Sequence, residues 1–263
     1  MQTGSGSPKG PSFDLGGRVA VVTGAGSGMG AASAEALAAY GARVAVLDVN
    51  EAAAAEVAAR IGIRAAPYTC DISDEQQVAT CIAAVRRDLG PITILHNNAA
   101  VHMGYGHGDH QAHDLSLEVW RRIMSVNLDG TFFVTKHVLP DMLAANGGSI
   151  INTASIAGPM LGSQNTTYTT TKGGIVGFTR ALVISYAGTG IRANAICPGF
   201  VTTPMSAPVL QNPLDLERYA SSVPVGRVGV PEDVGGLVVF LASDASGYVN
   251  GAVIPFDGGT HLR

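Results

Sequence analysis

Short, almost unbroken runs of Val, Ile and Ala alternate with longer alanine-rich segments along nearly the whole chain. Residues 18–23 (RVAVVT) precede an Ala/Leu stretch ending at Tyr40, and residues 43–48 (RVAVLD) precede the segment 51–61. Further strands are expected at 63–69, 92–96, 149–153, 192–196 and 252–256, with helical segments at 74–89, 116–145, 167–187 and 231–241. A strand with one wet face would alternate apolar and polar residues; strands this continuously apolar are covered on both faces, as in a parallel sheet flanked by helices. The expectation is an α/β doubly wound parallel sheet of about seven strands with helices on both faces, forming one domain over residues 14–263.

Two stretches break the rhythm. Residues 102–114 are rich in His and Gly, and residues 203–225 carry Pro204, Pro208, Pro213 and Pro224; both read as loops or lids near a ligand. Residues 1–13 are rich in Gly, Ser and Pro and read as a flexible tail, with no apolar core for a signal peptide. Hydrophobic residues make up 46% of the chain and charged residues 14%, which supplies a large core and excludes a disordered chain. With a net charge of -4 and no basic run beyond pairs such as Arg86-Arg87, no stripe exists for a phosphate backbone, so nucleic acid is not an expected partner. No run approaches the roughly 20 apolar residues of a membrane span. Cys70, Cys81 and Cys197 fit neither a disulfide set nor a metal spacing and read as packing thiols in a reducing, cytoplasmic compartment.

The segment Thr23-Gly-Ala-Gly-Ser-Gly-Met-Gly30 lies between the first strand and the first helix, where a pyrophosphate could approach backbone N–H groups at the positive helix end. Strict G-x-G-x-x-G spacing fails, because Met29 stands where the last glycine would be. Asp48 ends the second strand, where a carboxylate can accept from both adenosine ribose hydroxyls and would repel a 2'-phosphate. Val49 follows it, so no adjacent cation would neutralise such a phosphate, and NAD is expected over NADP.

From Gly24-x-x-x-Gly28-x-Gly30 onward the chain resembles the short-chain dehydrogenase/reductase family over roughly residues 14–260. The resemblance implies a Rossmann-type domain with Gly24, Ser27, Gly28, Met29, Gly30, Asp48 and Val49 around the cofactor. It assigns Asp71 and Ile72 to the adenine, and likens Asn97-Asn98-Ala99-Ala100 to the family's Asn-Asn-Ala-Gly turn, Ala100 departing from the usual glycine. Pro198, Gly199, Val201 and Thr203 match the segment that holds the nicotinamide carboxamide in the family.

Tyr168 and Lys172 stand at i and i+4 on an expected helix, hence on one face. Hydride transfer to a ketone builds negative charge on oxygen, which calls for a donor to steady it and an acid to protonate it. By resemblance Ser155, thirteen residues before Tyr168, is the donor, and Tyr168 is the general acid/base. Lys172 lowers the Tyr168 pKa and binds the nicotinamide ribose, and the Asn127 carbonyl supports a water in a proton relay. The extended relatives that share a Tyr-x-x-x-Lys pair have a differently spaced glycine turn and a longer chain, and do not fit.

His102, His107, His110 and His113 invite a metal reading, but their spacing fits no closed zinc site and the glycines between them give a flexible segment, so no metal is expected. His102 is a candidate substrate contact, as are Met160 and Met205; Leu161, Val209, Leu210, Leu214 and Tyr219 could give the pocket and lid apolar character. Asp257-Gly258-Gly259 resembles the family's C-terminal turn and implies a homotetramer. The expected activity is reversible oxidation of a small to mid-sized secondary alcohol. An NAD-retaining lyase or isomerase and an idle NAD-binding sensor are the alternatives.

Overall fold

The computed structural model describes residues 12–103, 108–207 and 213–263. Seven strands, β1 (Val19–Thr23), β2 (Arg43–Asp48), β3 (Ala65–Thr69), β4 (Ile92–Asn97), β5 (Gly148–Thr153), β6 (Ile191–Pro198) and β7 (Val253–Phe256), form one sheet in the order β3-β2-β1-β4-β5-β6-β7. Every pairing is parallel. The order reverses between β1 and β4, which opens a crevice at the carboxyl ends of the strands.

The unbroken apolar runs arise because successive side chains feed two different cores. Ala20 and Val22 of β1 and Val44 and Val46 of β2 pack with Leu37 and Val238 on one face. Val19, Val21, Ala45 and Leu47 pack with Ile82, Val134 and Val138 on the other. Helices α1 (Gly28–Ala39), α2 (Glu51–Ile61) and α8 (Val234–Ala242) serve the first face; α3 (Glu75–Leu89) and α5 (Gly130–Ala144) serve the second, joined by α6 (Thr166–Ser185). Pro67 sits in β3, an edge strand, where its missing N–H leaves no central ladder bond open.

The structure corrects the expected segmentation in three places. The single helix expected over 116–145 is divided into α4 (Leu117–Met124), a π-helical turn (Ser125–Asp129) and α5. The segment 203–225 is not all loop, since α7 (Pro213–Ser222) lies inside it, with Pro213 at the first position where a missing N–H costs nothing. Phe13, counted with the tail, has its ring 6.4 Å from that of Phe240 on α8; residues 1–11 lie outside the described residues.

Candidate active site

Two clefts run along the carboxyl edge of the sheet. The first, of about 300 Å³, is lined by the glycine turn (Gly24, Ser27, Gly28, Met29), Asp48, Val49, Asp71, Ile72, Asn98, Ala99 and Thr203. The second, of about 430 Å³, is lined by Ser155, Tyr168, Lys172, His102, Pro198, Gly199, Val201 and Thr203. Met29, Asn98, Ala100, Thr203 and Met205 border both, so the two form one continuous trough. Gly30 lines neither: a Cβ there would fall on the Gly24 carbonyl oxygen, so its role is close packing within the turn. Gly24 has φ +62°, and a Cβ on it would come 2.8 Å from the Ala99 Cα.

Asp48 is built into this turn. Its Oδ2 accepts from the Gly26 N–H at 2.9 Å and its Oδ1 from the Asn50 N–H at 2.9 Å. Each carboxylate oxygen has a second acceptor site, so the group is oriented while still able to accept from a ligand. Thr23 Oγ1 accepts from the Asn98 and Ala99 amides, both at 3.0 Å, and Asn98 Nδ2 donates back to the Thr23 carbonyl at 3.1 Å. Asn98 thus welds the ends of β1 and β4. Ala100 is absent from the described non-glycine residues with positive φ, so its methyl group needs no strained backbone. The Ser27 side chain, at the N-cap of α1 with φ −158°, makes no capping bond, and Ser27, Gly28 and Met29 line the trough.

At the second cleft, Lys172 is 3% exposed and its Nζ donates to the Thr153 carbonyl at 2.7 Å. The same Nζ lies 5.5 Å from the centroid of the Tyr168 ring. Burial pulls the Lys172 ammonium down from its ordinary 10.5 to about 8. Ser155 follows β5, and its Oγ accepts from the Ala157 N–H at 3.1 Å. Together Ser155, Tyr168 and Lys172 can polarise a ligand oxygen and exchange a proton with it.

Asn127 lines neither cleft. It sits in the π turn, 1% exposed, and closes a reciprocal pair with the Val101 backbone: Val101 N–H to Oδ1 at 2.8 Å, Nδ2 to Val101 O at 3.0 Å. Nδ2 also lies 3.3 Å from Thr171 Oγ1, and the Asn127 carbonyl accepts from Thr131 Oγ1 at 2.8 Å. Through Asn127 the π turn is tied both to Val101 after β4 and to Thr171 on α6, and such turns are frequent at functional sites.

His102 borders the second cleft with its ring edge-on to Tyr168, centroids 4.7 Å apart. Met205 borders both clefts and is 42% exposed. Met160 is not among the cleft residues; it packs on the small core of Ala154, Ile175, Val176, Ala195 and Cys197, because the turn after Ser155 folds back on α6. Tyr219 of α7 stacks on Phe200 at 4.5 Å and forms a wall of the cleft, while Leu214 is exposed. Val209 and Leu210, like His107, lie outside the described residues. His110 offers only its carbonyl to α6, and His113 pairs with Asp114. Among the described residues no three His, Cys, Asp or Glu side chains gather as a metal site.

Sequence reasoning missed several contributors. Gly26 holds Asp48, Thr171 joins Asn127 to the helix of Tyr168, and Arg122 brings a cation to the first cleft. Asp109, 1% exposed, accepts from the amides of Thr167 and Tyr168. A spacing rule carries no signal for any of these, since their partners are distant in sequence.

The family described as Enoyl-(Acyl carrier protein) reductase matches residues 24–261. The chain is 38% identical to cis-4-hydroxycyclohexanecarboxylate dehydrogenase of Sinomonas cyclohexanicum, over 92% of this chain and 96% of the relative. It is also 38% identical to D-threitol dehydrogenase of Mycolicibacterium smegmatis, over 95% of each. A gluconate 5-dehydrogenase from Burkholderia cenocepacia J2315, solved in complex with NADP and tartrate, superposes with a TM-score of 0.88 at 32% identity, covering 95% of this chain and 98% of that one.

Proposed function

The chain belongs to the short-chain dehydrogenase/reductase family, its relatives include dehydrogenases named for alcohol substrates, and on that premise we propose an NAD-dependent dehydrogenase that interconverts a secondary alcohol and a ketone with Tyr168 as its proton-transfer group. The observation that carries the proposal is the continuity of the two clefts, which joins the glycine turn and Asp48 to Ser155, Tyr168 and Lys172. The residues fit a dinucleotide: an uncapped helix start for the pyrophosphate, a carboxylate for the ribose, and glycines that leave no Cβ in the turn. When bound, the nicotinamide supplies the hydride acceptor or donor.

NAD is proposed over NADP because the Asp48 carboxylate, anchored by Gly26 and Asn50, would face a 2'-phosphate with like charge. Ser155 steadies the alcohol or ketone oxygen by a hydrogen bond. Tyr168 takes the alcohol proton in oxidation and returns it in reduction. The phenolate this requires is stabilised by the Lys172 ammonium, which Thr153 holds beside the ring. Lys172 also binds the nicotinamide ribose, and Asn127 fixes the π turn behind the site, from which its carbonyl supports the proton relay. Asp71, Ile72, Asn98, Ala99, Pro198, Gly199, Val201 and Thr203 complete the cofactor contacts.

The substrate proposed is a cyclic alcohol or a polyol, received between His102 and the stacked pair Phe200 and Tyr219, with Met205 at the entrance. A homotetramer is proposed because the groove between α5 and α6 leaves Phe132 and Leu143 exposed. Three buried free cysteines support a cytoplasmic location. Nicotinamide absorbance with purified protein, a panel of secondary alcohols and both cofactors tests the activity, and light scattering tests the assembly.

A further inference from the structure

We infer that Asp109 is a positioning residue for Tyr168, acting as the N-terminal cap of α6 from a distant loop. The inference rests on the reading of Tyr168 as the proton-transfer group. Asn165 occupies the cap position of α6 but makes no side-chain capping bond. The second and third amides of the helix would otherwise be orphaned. Asp109 serves both: Oδ1 accepts from the Thr167 N–H at 2.9 Å and Oδ2 from the Tyr168 N–H at 2.9 Å. A carboxylate is the one side chain that presents two acceptor oxygens to two parallel donors, and the positive end of a helix favours its charge.

The same loop meets neighbouring residues outside the carboxylate. The Asp109 N–H donates to the Met103 carbonyl at 2.8 Å, and Thr166 Oγ1 donates to the His110 carbonyl at 2.7 Å. On the cleft side, Asn165 Nδ2 lies 3.1 Å from His102 Nε2, and the His102 ring abuts that of Tyr168. The loop that brings His102 to the substrate and the helical turn that carries Tyr168 therefore share one buried fixed point. From the other side Thr171 Oγ1 bonds to the Tyr168 carbonyl at 2.8 Å. Asp109 touches neither cleft, so its effect on chemistry passes through the placement of the Tyr168 main chain.

Asp109→Asn keeps the shape but turns an NH2 group toward one of the two amides, so donor faces donor. The test uses the best substrate among cyclohexanol, cyclohexane-1,2-diol, D-threitol and galactitol. The expected result is a fall in kcat of about 10-fold to 100-fold, NADH affinity within about twofold of wild type, and a larger solvent deuterium isotope effect on kcat. Thr166→Val, which frees the His110 carbonyl but leaves the Asp109 bonds, should keep kcat near wild type. Asp109→Ser, with a single acceptor, is the second variant should the Asn protein fail to fold, and is judged by the same three readouts. Unchanged kcat, or parallel loss of activity and NADH binding with an unchanged isotope effect, would overturn the inference, as would failure of both variants to fold. Tyr168→Phe run alongside separates the two claims: an active Phe variant removes the premise, whereas an inactive Phe variant with a fully active Asn variant removes only the role of Asp109.

Discussion

Lys172 Nζ lies 5.5 Å from the centroid of the Tyr168 ring, one helical turn away, and spends a hydrogen bond on the Thr153 carbonyl at the end of β5. That bond fixes the ammonium although burial lowers its pKa to about 8. Below that pH it is charged and favours the phenolate. Lys172→Met should therefore lower kcat for alcohol oxidation about 100-fold or more. It should also move the rising limb of the pH–rate profile to higher pH, because the phenol then ionises without a cation beside it. Steady-state rates across pH check both effects.

The Asp48 carboxylate bridges Gly26 and Asn50 at the mouth of the first cleft. Asp48→Ala should weaken NAD binding about 10-fold to 100-fold, the worth of charge-assisted bonds to ribose. NADP binding should weaken far less, since the same change removes a repulsion. Fluorescence titration with NADH and NADPH reads the ratio directly.

Asn127 is 1% exposed, and its side chain and the Val101 backbone satisfy each other's hydrogen bonds. Asn127→Ala leaves a buried donor and acceptor unpaired and should cost about 2 kcal/mol or more, seen as a lower midpoint in thermal unfolding.

Burial holds the His96 imidazole at about 3, far below its ordinary 6.5, and its Nε2 lies 2.9 Å from Thr153 Oγ1. Between those two values the unfolded chain binds a proton that the folded chain refuses, so stability falls as pH drops below 6.5 and continues to fall toward 3. His96→Gln should flatten this acid limb in denaturant titrations between pH 7 and pH 4; an unaltered limb would assign acid sensitivity to other groups.

The sheet was legible because each strand feeds two cores: Val21 and Val22 go to opposite faces, so both are apolar. The placement of Asp48 at the end of β2 and of Tyr168 and Lys172 on one helix was legible, because a strand end and an i, i+4 spacing are both visible in the sequence. The π turn was not, since a hydrogen-bond offset within Ser125–Asp129 leaves no compositional mark. Asp109 was hidden for another reason: its amide partner on Tyr168 is 59 residues away, and a carboxylate in a His/Gly loop reads as solvated. Met160 was misplaced because an apolar residue between Ser155 and Tyr168 can face the ligand or the core, and here it packs against the core. Pro213 suggested a loop while standing at the start of α7.

In the proposed reaction the Tyr168 hydroxyl moves the proton. This role is tested most directly by comparing wild type with Tyr168→Phe for NADH formation on the best alcohol of the panel, with NADH affinity measured on the same preparations. The expected result is a loss in kcat of about 10²-fold to 10⁴-fold with NADH affinity nearly unchanged. Turnover by the Phe variant at the wild-type rate would contradict it.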